Sequence, residues 1–310
     1  MVQFETLDTF LDYGRCLKIT NGLIEAVATL DVGPRIVSFS FVGGKNVLMS
    51  DRKAFTPQGG EAFDRYYYQG AQFENLGGHR IWISPESLPE TYYPDAKPVE
   101  YKVDGDKVTF FQKKQTENGV KIRLTLKMSA DQPEMIVENT AENISNSNKE
   151  FAVWAITVMN REGLEIIPQN TNDTGLLSNR KLILWPYTKI GDERLTLGDR
   201  YITLRQDPEN DHALKIGTDC NAGTGYYVLG DTVFRKKYQH KIGGNYPDGG
   251  VSYETYTNNL ILEFETLSEL YEVKSNEAIT HSECWQLYKA QKPLSDNADE
   301  QKIAAFLSAL

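Results

Sequence analysis

The chain has 310 residues, 40% of them hydrophobic and 11% aromatic, enough apolar material for a substantial core and too much for a disordered chain. Its 33 basic and 43 acidic residues leave a net charge of −10, which repels nucleic-acid phosphates and anionic lipid surfaces. Nothing approaches the roughly 18 consecutive apolar residues of a membrane-spanning helix, so neither nucleic acid nor a membrane is expected as a partner.

Cys16, Cys220 and Cys284 are odd in number, far apart and without metal-type pair spacing, which predicts reduced thiols and no metal site. The N-terminus has neither a basic start nor an apolar run, so no secretory signal is visible and a cytoplasmic protein is expected. No linker-like composition divides the chain, and one large domain over residues 1–310 is the expected organisation.

Strand signals begin at Cys16. Asn21-Gly22 between two alternating runs, 17–20 and 23–27, predicts a hairpin. The chain bends at Gly33-Pro34 and resumes as an extended run over 35–41 before turning at Gly43-Gly44. Between residues 99 and 159, turn signals at Asp104-Gly105, Asn118-Gly119, Asp131-Gln132-Pro133 and 143–149 predict an antiparallel meander. Its clearest member, 121–128, alternates as a strand with one wet and one packed face. Segments 213–216, 226–229, 232–238, 251–256, 260–267 and 284–288 continue the pattern without any βαβ alternation. One helix is expected, at the C-terminus. Asn297 caps it with Glu300 three residues on, and Ile303, Phe306, Leu307 and Leu310 form a face that docks on the outside of a sheet. The expected class is all-β, an antiparallel sandwich of unusual size.

The densest chemistry lies in 75–82, where Asn75, two glycines, His79, Arg80 and Trp82 stand together. His79 could move a proton near neutral pH, or serve as a core histidine bonded to backbone. Arg80 offers a fixed fork of donors, and its plain alternative is a surface ion pair. Parity limits the cluster: if 79–83 is extended, His79 and Ile81 face one way and Arg80 and Trp82 the other. Tyr66 to Tyr68, Trp82, Tyr92 and Tyr93 are rings suited to the C–H faces of sugars, or to packing a long loop. Glu263 and Glu265 share one strand face opposite Leu262 and Phe264, either as a general-base pair or as a solvated face. The turn-rich loop 243–250 belongs at the surface, between Lys236-Lys237 and Glu254.

Taken in order, these pieces resemble the galactose mutarotase-like superfamily, which includes the aldose 1-epimerases. The matching stretches are Gly33-Pro34-Arg35-Ile36 with 43–48, Gly77-Gly78-His79-Arg80, Leu262-Glu263-Phe264-Glu265-Thr266 and His281-Ser282-Glu283-Cys284-Trp285. They span roughly residues 20 to 290 and point to a divergent, uncharacterised branch. The resemblance implies a large antiparallel β-supersandwich and a small-molecule carbohydrate ligand without a cofactor. It also implies a glutamate base with a histidine acid, which open and reclose a sugar ring. By position Glu265 would be the base. The family's acid would lie on the strand 151–159, which has no histidine, so His79 is the expected substitute. Arg35, Asn75, Arg80, Trp82, Trp154, Lys237, Asp248 and Glu254 are the expected binding residues, their cations suggesting an acidic sugar derivative. The alternative is a sugar-binding protein without turnover.

Overall fold

The computed structural model describes residues 1–295 and 298–310. Two large antiparallel sheets carry the chain. The first runs, edge to edge, through Gln3–Leu7, Cys16–Thr20, Ile24–Thr29, Ile36–Phe41, His79–Ser84, Lys149–Met159, Leu262–Leu267, Tyr253–Thr257, Leu214–Thr218 and Leu182–Leu184. The second runs through Leu195–Leu197, Tyr201–Arg205, Leu164–Pro168, Thr224–Leu229, Thr232–Tyr238, Ala278–Lys289, Glu134–Asn143, Val120–Met128, Lys107–Phe111 and Glu100–Asp104.

Local chemistry accounts for the connections. Gly22 supplies a positive φ in the hairpin that joins the Cys16 and Ile24 strands, and Asn21 Oδ1 accepts from the Leu23 and Ile24 amides. The expected meander is real through Asn143, and the alternating burial of Val120–Met128 matches its sequence. Its last member departs: Lys149–Met159 crosses to the centre of the first sheet. Nine of its eleven residues, Phe151 to Met159, are buried, because both of its faces are covered.

The core lies between the sheets. Phe39 and Phe264 of the first sheet meet Phe234 and Trp285 of the second edge to face, with centroids 5.5 to 5.9 Å apart. Each such ring, fully removed from water, contributes on the order of 2–3 kcal/mol.

The C-terminal helix Glu300–Ser308 docks on the outer face of the second sheet, with Ile303 against Ile166, Val228 and Val233. Its cap is Asp299, which accepts from the Lys302 amide; Asn297 lies outside the described residues. A helix the sequence did not announce, Glu61–Tyr66, places Phe63 with Phe73, Trp82 and Trp154 on the outer face of the first sheet. Among the described residues, no helix is long and apolar enough to cross a membrane.

Candidate functional site

Register decides which side chains share a face. Residues directly opposed on neighbouring strands point the same way, so Arg80, Ile156, Glu265 and Glu254 form one row across four strands. Val158, Glu263, Tyr256 and Lys215 form a parallel row, and Trp82 with Trp154 another. All point away from the second sheet. There they meet the segments 54–58, 73–75, 86–92 and 185–187 around a cavity of about 570 Å³. Arg80, Glu263 and Lys215 face this cup between Phe73, Trp82, Tyr92, Trp154, Trp185 and Tyr256.

Arg80 is only 3% exposed. Its guanidinium lies 4.4 Å from the Trp82 ring, and Nη2 donates to Glu263 Oε1 at 2.9 Å. Its Nε and Nη1 are buried and have no acceptor. Glu263 Oε2 makes no hydrogen bond among the described residues and is not sealed from the cavity.

Lys215 stands over Trp154 and Trp185, 4.3 and 4.7 Å from their rings. Its ammonium is 2.8 Å from Glu254 Oε2 and 3.2 Å from Glu265 Oε2, and the latter oxygen also accepts from Trp154 Nε1 at 2.8 Å. Glu265 Oε1 has no donor, and Glu254 is held by the ion pair without an aligned hydrogen bond. Burial raises both carboxyls above the ordinary glutamate range, and each raises the other or is raised by a further carboxylate nearby, while Lys215 opposes the shift. Burial alone would lower the Lys215 ammonium, but Glu265 and Glu254 together raise it.

Seven buried side-chain atoms in the described residues lack a hydrogen bond, and five belong to Arg80, Glu254 and Glu265. Such atoms cost about 1–3 kcal/mol each unless something pairs with them. The two of Arg80 stand in the cup wall and the three of Glu254 and Glu265 beneath its floor around Lys215, which makes this cavity the candidate site.

The expected site residues divide by parity. Asn75, Arg80, Trp82 and Trp154 line the cup, and Glu254 and Glu265 lie directly beneath its floor. His79 does not reach it. Its side chain points into the space between the sheets, where Nε2 donates to Asn139 at 2.8 Å and Nδ1 accepts from Thr157 at 2.9 Å. Burial lowers its pKa to about 4. Arg35 is also internal, locked in a two-pronged ion pair with Asp95 at 2.6 and 3.0 Å. Lys237 is exposed on the second sheet, and its neighbour Lys236 points inward instead. Asp248 accepts from Ser84 at 3.0 Å and is not part of the cup wall.

Sequence reasoning missed Lys215, Trp185 and Tyr256. Lys215 had a readable signal, a single cation between Leu214 and Ile216 in a buried strand. Glu263 was visible as the same-face partner of Glu265, yet only the fold shows that it is the more accessible of the two, 7% exposed against 0%.

No family model matches the chain, and no curated protein matches its sequence. Solved structures do match in shape. A provisional aldose 1-epimerase from Klebsiella pneumoniae aligns with a TM-score of 0.60 at 10% identity, covering 99% of this chain and 86% of that one. A galactose mutarotase-like protein from Lactobacillus casei aligns at 0.55 and 10% identity, over 88% and 100% of the two chains. Another from Clostridium acetobutylicum aligns at 0.51 and 11%, over 93% and 98%. The chain therefore has the galactose mutarotase-like fold.

Proposed function

We propose that the cup binds an aldose and that the protein is an aldose 1-epimerase-like enzyme in which Glu263 is the general base. One observation carries the reading: in a single sugar-sized concavity, aromatic walls surround an arginine with unpaired donors and a glutamate oxygen without a hydrogen bond among the described residues. Rings stack on the apolar faces of a pyranose, and Glu263 Oε2 opens to its hydroxyls while Arg80, whose Nε and Nη1 lack an acceptor, stands in the wall beside it. Glu263 takes the role first expected of Glu265 because its Oε2 opens to the cup, whereas Glu265 is sealed behind Lys215 and Trp154. A base must come within hydrogen-bond reach of the anomeric hydroxyl.

The ligand is best taken as a neutral sugar. The cations that had suggested an acidic derivative are otherwise engaged: Arg35 with Asp95, Arg80 with Glu263, and Lys237 on the other sheet. A second reading, binding without turnover, is favoured by one fact. None of the described histidines lines the cup, so the expected histidine acid is missing.

Three of the four tryptophans, Trp82, Trp154 and Trp185, line the cavity, so intrinsic fluorescence is a direct binding signal. Titration with neutral aldoses is expected to quench or shift it, and Arg80→Met to weaken the response at least about tenfold, the loss of one charge-assisted hydrogen bond. Unchanged titrations in the variant would reject the cup as the sugar site. Anomer interconversion in the same samples separates enzyme from binder.

A further inference from the structure

We propose that Lys215 supplies the missing acid: its ammonium protonates the ring oxygen of the bound sugar and is recharged by the carboxyl pair Glu254 and Glu265 beneath it. The inference rests on reading the cup as an aldose 1-epimerase-like site.

Position comes first. Lys215, Tyr256 and Glu263 are directly opposed across three neighbouring strands, which sets the first and last about 10 Å apart at Cα. Both side chains face the cup from either side of Tyr256, as an acid and a base must to act on one ring. Two of the three Lys215 N–H groups are accounted for by Glu254 and Glu265, and the third has no acceptor among the described residues. The rings of Trp154 and Trp185 hold the ammonium in place without consuming that donor.

The two carboxyls explain how a lysine can serve. Glu254 and Glu265 are paired directly across adjacent strands, both buried, with one ammonium between them. Two carboxylates so placed retain a proton between them. An ammonium flanked by carboxylates is by itself a weak acid, but here it loses one proton to the sugar as it gains another from the pair. The effective acid is then a carboxylic acid, and Lys215 carries its proton to a cup that the pair does not touch.

The step balances. Glu263 Oε2 takes the proton of the anomeric hydroxyl, the C1–O1 bond becomes a carbonyl, and the C1–O5 bond breaks with its electron pair on O5. O5 takes a proton from Lys215 Nζ, and Nζ takes one from the Glu254–Glu265 pair. After rotation about the C1–C2 bond, closure on the other face reverses each transfer and restores every group.

The test is anomer interconversion, followed by NMR exchange alongside fluorescence binding, for wild type, Glu254→Gln and the double variant K215M/E254Q. The double variant removes the cation together with one carboxylate, so no excess buried charge remains. It is expected to bind sugar within about threefold of wild type and to lose at least about 100-fold in kcat, the usual worth of a general acid. Glu254→Gln keeps the lysine but removes the repulsion that holds the shared proton, so the alkaline limb of its kcat profile should move to lower pH. A purely structural role would leave that limb in place.

Interconversion within threefold of wild type in the double variant, or an unmoved alkaline limb in Glu254→Gln, would overturn the acid assignment and leave the cup reading intact. Loss of sugar binding in the double variant would make Lys215 a binding residue and overturn its role as acid. A wild-type protein that binds aldoses without interconverting them would overturn the enzyme reading and this inference together.

Discussion

Two residues that look functional in the sequence are architectural, and burial with pairing distinguishes them. Arg35 is 2% exposed, and Asp95 meets it with both oxygens. Removing the cation strands a buried carboxylate, so Arg35→Leu is expected to cost about 3–5 kcal/mol of stability. Chemical denaturation checks that, and sugar-induced fluorescence should be unchanged in the folded fraction. His79 is similar. It completes a chain in which Lys236 Nζ donates to Thr157 at 2.6 Å and Thr157 to the imidazole, with the ring edge-on to Trp285 at 5.0 Å. His79→Gln is expected to lower the melting temperature and to leave interconversion per folded molecule within about twofold. A folded variant without turnover would return His79 to the mechanism. Arg35 is attractive in sequence as a cation in a family-like stretch and His79 as the neighbour of Arg80 and Trp82, and neither signal says which face of a strand a side chain takes.

At the scale of the strand, parity carries most of what was legible. The alternation of His79 and Ile81 against Arg80 and Trp82 could be written down before the fold was known, and the register confirms it. The same holds for Glu263 and Glu265 against Leu262 and Phe264. Parity alone could not say which face was the cup. That depends on pairings between strands distant in sequence, such as His79–Ser84 with Lys149–Met159, which no local signal encodes. Glycine pairs gave a second legible signal, with a backbone cause. Gly78 has φ +61°, and a Cβ there would stand 2.2 Å from the Ile36 carbonyl oxygen. Its amide donates to Met49 O at 2.8 Å and its carbonyl accepts from Val158 at 2.9 Å, so the glycine fixes how the His79–Ser84 strand enters the sheet. Gly78→Ala should cost about 2–4 kcal/mol. Because entry geometry sets the Arg80 position, sugar affinity should fall with it, and an alanine variant of wild-type stability would refute the close approach.

The whole molecule keeps two polar systems on opposite faces of one sheet, the cup outside and a sealed network inside. The inner one joins His79, Lys236, Glu283, Thr266 and His281, with Lys236 Nζ 3.2 Å from Glu283 and 3.0 Å from the Phe264 carbonyl oxygen. It holds the strand that bears Glu263 and Glu265 from behind. Its charges set the pH response of folding. Burial lowers His79 and His281 to about 4, so the unfolded chain binds their protons first and stability falls as pH drops from 6.5 through 4. Glu283 is held down to about 2 by Lys236 and the histidines, against the effect of burial, and stability is lost further as pH falls below 4.5. Glu165 works in the other sense. Burial raises it to about 8 despite hydrogen bonds from Thr255 and Tyr253, so its contribution is lost as pH rises from 4.5 through 8. Between pH 6.5 and 4 each histidine should therefore remove on the order of 3 kcal/mol, offset in part by the raised Glu165, Glu254 and Glu265, and those carboxyls should leave a gentler decline from pH 6.5 toward 8. Urea titrations across that range check both slopes, and His79→Gln should flatten the acid one. Overall class, the terminal helix and the order of the family-like stretches were legible in the sequence, because periodicity and turn chemistry are local. The cup was not, because Lys215, Trp185 and Glu263 converge on it from distant segments. The most direct measurement is NMR exchange between the anomers of a neutral aldose in the presence of wild type and Glu263→Gln. Acceleration by the wild type and at least about a 100-fold loss in a variant that still binds sugar is the expected result, whereas equal rates in the two proteins would contradict a proton-transfer role for the cup.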